Sequence, residues 1–193
     1  MTQQINGVDV AALKETLAAI EAQPELAQFQ FQAENEWAGG PVNRTTISQF
    51  LGTCQTHEHA QPFVFQADEP PVLLGGDGDA NPVEYLLTAL AGCVTTAMVV
   101  HAAARGIKIN SLSSRLEGDI NLLGFLGIDD SVRNGYEAIR MIVDIDADVP
   151  REELEEVVRL GPTYSPVYDV VSRSVPVKVE LAKAEEKAEE KAA

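Results

Sequence analysis

The sequence predicts an α+β fold, and three observations carry that prediction. Strand-like stretches separated by Gly- and Pro-containing turns fill the first third. One long helix, apolar on nearly all sides, follows them. After it, two strands, an amphipathic helix and a last alternating stretch complete the chain.

In chain order, Asp9 to Ala22 places Leu13, Leu17 and Ile20 at helical spacing and is stopped by Pro24. Residues 1–28 therefore read as a helical extension packed on the main body. Phe29, Phe31, Ala33 and Trp37 begin a strand-like stretch, Gly39-Gly40-Pro41 turns it, and Asn43–Leu51 and Pro62–Ala67 continue a β-meander. A loop rich in Gly and Asp, Gly75 to Ala80, leads to the long helix. There Asn81 is a good N-cap, Pro82 suits the first helical position and Glu84 completes a capping box. The helix runs to about Arg105, where Gly106 fits a left-handed cap. With no polar face it should be buried all round, which one chain of this size struggles to do, so a homodimer is expected.

Beyond the helix, Leu112–Leu122 and Ala138–Asp148 read as strands. In the second, Ile139, Met141, Val143 and Ile145 face one way and Arg140, Asp144 and Asp146 the other, the pattern of an antiparallel strand buried on one side. Pro150 starts a helix with Leu154, Val157 and Val158 on its inner face, and Val175, Val177, Val179 and Leu181 alternate as a final strand. Residues 182–193, all Ala, Lys and Glu, read as a solvated tail without function, because like charges recur four apart (Lys183, Lys187 and Lys191; Glu185 and Glu189). No linker divides residues 29–181, which form one domain.

A chain of 193 residues suffices for one domain with a sizeable core. The net charge of −16 argues against a nucleic-acid partner, which needs clustered Lys and Arg. Two cysteines far apart make no disulfide framework and fit a reducing, cytoplasmic setting; no basic segment followed by an apolar one marks a signal peptide. Thr88, Thr95, Thr96 and His101 interrupt the apolar run Tyr85–Ala104, so a core helix explains it better than a membrane span.

At Asn81-Pro82-Val83-Glu84-Tyr85-Leu86, continuing to Ala91-Gly92-Cys93, the sequence resembles the OsmC/Ohr family, in which an Asn-Pro pair opens the central helix and a Cys follows at this spacing. Ser165-Pro166-Val167-Tyr168-Asp169 looks like that family's Cys-Pro-Val segment, and Arg133-Asn134-Gly135-Tyr136 is similar to a branch with a single cysteine. The resemblance covers roughly Phe29 to Leu181. It implies an OsmC-like fold and an intertwined homodimer, in which two central helices pack together and the sheets of both chains wrap around them. It also implies reduction of organic hydroperoxides: the helix Cys attacks the peroxide, a second Cys resolves the sulfenic acid, and an Arg and a Glu assist.

Residue by residue, the resemblance is incomplete. Cys93 matches the attacking Cys, but a mid-helix thiol cannot use the positive helix N-terminus and needs a cation from elsewhere to become a thiolate; its bland role is a small core side chain. Ser165 stands where the resolving Cys would be and cannot form a disulfide, so an oxidised Cys93 would need an external thiol; a structural Ser before Pro is its simplest role. Val83 occupies the place of the assisting carboxylate. Glu84, nine positions before Cys93, lies on the opposite helix face, at about 100° per residue, and is a capping residue. Arg44 lies in the meander near the place of the assisting Arg and is the one named cation, against the plainer role of an exposed strand Arg. His101, eight residues after Cys93, is expected as a core or interface histidine.

Three functions follow. The first is thiol-dependent reduction of organic hydroperoxides through Cys93, with Arg44 polarising and an external thiol as reductant, no bound cofactor being required. The second is a non-catalytic OsmC-like dimer that binds an apolar small molecule. The third is a metal site at the C-x-x-H-x-H cluster of Cys54, His57 and His59, which supplies zinc- or copper-type ligands but lacks a fourth nearby.

Overall fold

The computed structural model describes residues 4–182. The tail read from the sequence as a solvated extension lies, from Lys183 on, outside the described residues. The architecture is α+β, as the sequence predicts. A small ribbon, β1 (Gln4–Ile5) and β2 (Val8–Asp9), precedes α1 (Val10–Ala22). The meander follows as β3 (Gln30–Phe31), β4 (Glu34–Gly39), β5 (Val42–Gly52) and β6 (Gln55–Ala67). Then come α2 (Pro82–Ala104), β7 (Ile109–Asp119), the single turn α3 (Leu122–Phe125), β8 (Ala138–Ala147), α4 (Arg151–Tyr164) and α5 (Pro166–Ser172).

In the first sheet β5 is the middle strand, with β6 along one edge and β4 and β3 along the other, all antiparallel. Gly52 faces Gln55 across a two-residue turn whose centre, Thr53 and Cys54, has φ of 47° and 62°. Two left-handed residues give the turn that matches the right-handed strand twist. Neither is Gly, Asn or Asp, so the sequence hid this hairpin and suggested a strand only from Pro62 onward. Pairing with β5 jumps from Phe63 to Glu58, which leaves Pro62, with no N–H to donate, outside the ladder.

The long helix starts as the sequence predicts. The Asn81 side chain accepts from the Glu84 N–H at 2.9 Å, and Glu84 accepts from the Asn81 N–H at 2.9 Å. Asp68 holds the preceding loop. It is 4% exposed and accepts from the backbone N–H groups of Glu69, Gly76 and Gly78 at 2.8, 3.0 and 3.1 Å. Those bonds, from Gly78 first, hold its carboxyl below the usual carboxylate range. Gly106, φ 79°, ends the helix, and Asn6 pins the N-terminal ribbon to the turn beyond it through the Ile107 carbonyl and the Ile109 N–H.

β7 and β8 form an antiparallel hairpin. Ile139, Met141, Val143 and Ile145 face the core as their alternation predicts, whereas Ile142 is 59% exposed. The centre of the core is Leu90, Val94, Met98 and Ala102 of α2 with Val157 of α4. α4 comes close to α2 at Gly161, where a Cβ would lie 2.7 Å from Val94 Cγ1.

Four expectations need correction. β7 spans Ile109–Asp119 rather than reaching Leu122, because Asn121 accepts from the Leu123 N–H at 3.1 Å and opens α3. α5 was not foreseen; Ser165 starts it. α2 is not buried all round: Leu86, Ala89, Gly92 and Thr96 lie open in the single chain, and nothing sits within 4 Å of a Cβ built on Gly92. The stretch Val175–Leu181 pairs with no strand among the described residues, and Val177, Val179 and Leu181 are almost fully exposed. The first two corrections come from local capping; the last two concern apolar residues that the single chain leaves open.

Candidate functional site

The sequence singles out Cys93, and α2 sets its environment. Leu90, Val94 and Met98 place one side of the helix in the core, while Gly92 and Thr96 place another in the open. Cys93 lies between these two sides and is half-buried, a free thiol with no hydrogen-bond partner among the described residues.

The residues expected to support it are positioned unevenly. Ser165 is 2% exposed, and its Oγ accepts from the Tyr168 N–H at 3.1 Å. It is the N-cap of α5, the structural role that a Ser before Pro suggested. Glu84 is engaged in the capping box. Arg44 on β5 lies opposite Glu36 of β4, and its Nη1 donates to Glu36 Oε1 at 3.2 Å; both side chains are about half exposed or more (47% and 67%). Its guanidinium is thus occupied by a surface carboxylate and makes no bond to Cys93. Within the chain, the meander meets α2 at the helix's first turns, where Tyr85 donates to the Gln66 carbonyl at 2.7 Å and its ring meets Phe65 edge-on.

The Cys54, His57 and His59 cluster does not converge. Among the described residues no three His, Cys, Asp or Glu side chains come together to hold a metal. Cys54 is at the exposed hairpin tip. His57 Nε2 contacts Thr53 Oγ1 at 2.9 Å and the Gly52 carbonyl at 3.1 Å, and its ring stacks on Phe50. His59 packs against Phe50 and Phe63. The two histidines belong to an aromatic strip along one sheet face that continues through Phe31 and Phe29. His101 stacks on Tyr164 of α4, with ring centroids 3.9 Å apart, as a helix-packing residue.

Sequence reasoning missed a cavity of about 800 Å³ between α2, β8, α4, α5 and the loop before β8. Leu86, Leu90 and Val94 form its α2 wall, and Cys93 is not among the lining residues. The i, i+4, i+8 spacing of that wall was visible in the sequence, but α5, which supplies the opposite wall, was not. At the rim Tyr136 donates to the Val83 carbonyl at 2.9 Å and lies over Gly118, tying the loop to the start of α2.

Comparison with known proteins agrees with this architecture. No curated protein matches the chain by sequence. Among solved structures, an OsmC-like protein from Mycoplasma pneumoniae superposes with a TM-score of 0.56 at 14% identity, over 75% of this chain and 89% of that one. An OsmC-like protein from Vibrio cholerae gives 0.56 at 10% identity, over 76% and 94%. An organic hydroperoxide resistance protein OsmC from Legionella pneumophila gives 0.52 at 17% identity, over 79% and 96%. At these identities the likeness is one of fold. The family model for OsmC-like protein matches residues 75–180, from the loop before α2 to the last alternating stretch, and so includes Cys93, Ser165 and most of the core. With more than half of its length matched by that model and its fold shared with OsmC-like structures, the chain belongs to the OsmC-like protein family.

Proposed function

We propose that the protein reduces organic hydroperoxides through Cys93 with an external thiol as reductant. The observation that carries this is the position of Cys93: half-buried at mid-α2, beside an open helix face, inside the family match. In the reaction the Cys93 thiolate attacks the distal peroxide oxygen. The S–O bond forms as the O–O bond breaks, and the departing alkoxide takes a proton, leaving an alcohol and a sulfenic acid. Ser165 caps α5 and cannot resolve that acid. An external thiol therefore attacks the sulfur, releasing water and forming a mixed disulfide, and a second thiol frees Cys93. We assign the polarising cation to Arg44, which must first leave Glu36; an exposed pair of this kind is worth only about 0–1 kcal/mol. A reducing, cytoplasmic setting would supply the thiol.

We further infer that the protein works as a homodimer. The open Leu86, Ala89, Gly92 and Thr96 face of α2 and the unpaired Val175–Leu181 stretch both support it. A second reading is non-catalytic binding of an apolar small molecule, favoured by the 800 Å³ cavity.

The test is consumption of cumene hydroperoxide with dihydrolipoate, with a monothiol and without reductant, in the wild type and in Cys93→Ser. Turnover should require an added thiol and vanish in Cys93→Ser. Multiple turnover that survives Cys93→Ser would end the thiol mechanism. Loss in Cys93→Ser with full activity in Arg44→Ala would keep the nucleophile and remove the cation.

A further inference from the structure

Arginine pairing singles out the cavity. Of the eight arginines in the chain, six are ion-paired: Arg44, Arg105, Arg115, Arg140, Arg151 and Arg173. The other two, Arg133 and Arg159, have no carboxylate partner among the described residues, and both line the cavity. In a chain with 30 acidic and 14 basic side chains, the two guanidiniums without a carboxylate partner among the described residues both belong to this one cavity.

The carboxylates one turn before Arg159 are engaged elsewhere. On α4 the residues four and three before Arg159 are Glu155 and Glu156; Glu155 is held by Arg151 at 3.0 Å and Glu156 by Arg105 at 2.7 Å. Near Arg133, Asp129 accepts from both the N–H and the hydroxyl of Ser131. The lining holds one carboxylate, Glu137, so its charged side chains sum to +1 (two arginines less one glutamate) in a chain of net −16. Between them the walls are aliphatic: Leu86, Leu90 and Val94 on one side, Val170 and Val171 on the other.

An apolar slot with guanidiniums at its edge matches one ligand chemistry. We propose that this cavity binds a single-chain amphiphile with a carboxylate head, its hydrocarbon tail against α2 and α5 and its head at Arg133 and Arg159. Burial of each methylene contributes about 0.8 kcal/mol, and guanidinium pairs carboxylate in a two-pronged fork. The proposal rests on the apolar-ligand reading of the cavity and is independent of Cys93.

The test is calorimetry on the full-length protein with decanoate and with decan-1-ol, below micelle concentration. Decanoate should bind at least about tenfold tighter than decanol, and the margin should shrink as salt rises. The double variant Arg133→Gln/Arg159→Gln should bring decanoate to the level of decanol without altering decanol. Glu137→Gln should tighten decanoate alone, and Ala138→Trp, which fills the slot, should weaken both. Equal binding of the two probes by the wild type overturns the anionic head and leaves the apolar-ligand reading standing. Absence of binding by either probe overturns both. Binding of anionic vesicles through these arginines, with none of free decanoate, would mark a membrane-facing patch and also overturn the proposal.

Discussion

The two halves of this molecule are held together differently. The meander, β3 to β6, is a continuous set of backbone ladders, yet Ala67 at its very end is its one buried hydrophobic residue, and Phe31, Trp37, Phe63, Val64 and Phe65 are all exposed. The half from α2 onward has the opposite balance. Its second sheet is only a hairpin, but Leu90, Val94, Met98, Ala102 and Val157 are buried against it. The first half is ordered by hydrogen bonds, the second by packing. Net hydrogen-bond contributions are modest, whereas apolar burial dominates folding. The second half thus supplies most of the apolar burial within the single chain, and the first leaves its large apolar side chains exposed.

That contrast can be broken first at its strong end. Met98 is 0% exposed, and Met98→Ala should cost about 2–5 kcal/mol in urea unfolding. Phe31, 77% exposed, should cost less than about 1 kcal/mol as Phe31→Ala if the chain stands alone. A large loss at Phe31 that grows with protein concentration would show that a second chain covers the meander.

A sharper probe is Gly92. In one chain, Ala there meets nothing within 4 Å, and removing a mid-helix Gly should stabilise by about 0.5–1 kcal/mol. If two α2 helices pack at this face, the added methyl instead separates them. We expect Gly92→Ala to weaken association in sedimentation at low micromolar concentration; a more stable variant with unchanged sedimentation would remove the helix-to-helix dimer.

The smallest effect concerns pH. Burial first, then the charge of Arg105, lower the His101 pKa from its usual 6.5. The unfolded chain then takes up the proton first, so the His101 contribution is constant above about pH 6.5 and falls as the pH drops from there towards the folded value. Urea midpoints between pH 7.5 and 5.5 should therefore decline less steeply in His101→Gln than in the wild type. Parallel profiles would mean that the Tyr164 stack leaves His101 free to protonate.

Elements whose signals are local were legible in the sequence. Asn81, Pro82, Glu84 and Gly106 fix both ends of α2 by capping chemistry. The alternation from Ile139 to Ile145 fixes which side of β8 is buried, since a strand has only two faces. Ser165 as a structural residue and Glu84 as a cap were legible for the same reason, whereas Cys93 was singled out by the family resemblance alone. The hairpin tip at Thr53–Cys54 was not, because left-handed backbone at ordinary residues leaves no compositional mark. Nor was the aromatic strip that absorbs His57 and His59, since cross-strand neighbours depend on register. The pairing of arginines depends on which carboxylates folding brings near. Spacing along α4 would have offered Glu155 to Arg151 and Arg159 alike; the tertiary arrangement gives Glu155 to Arg151 and Glu156 to Arg105, and leaves Arg159 at the cavity edge. Local backbone chemistry is written in neighbouring residues, but the competition of distant charges for one another is settled only once the chain is folded.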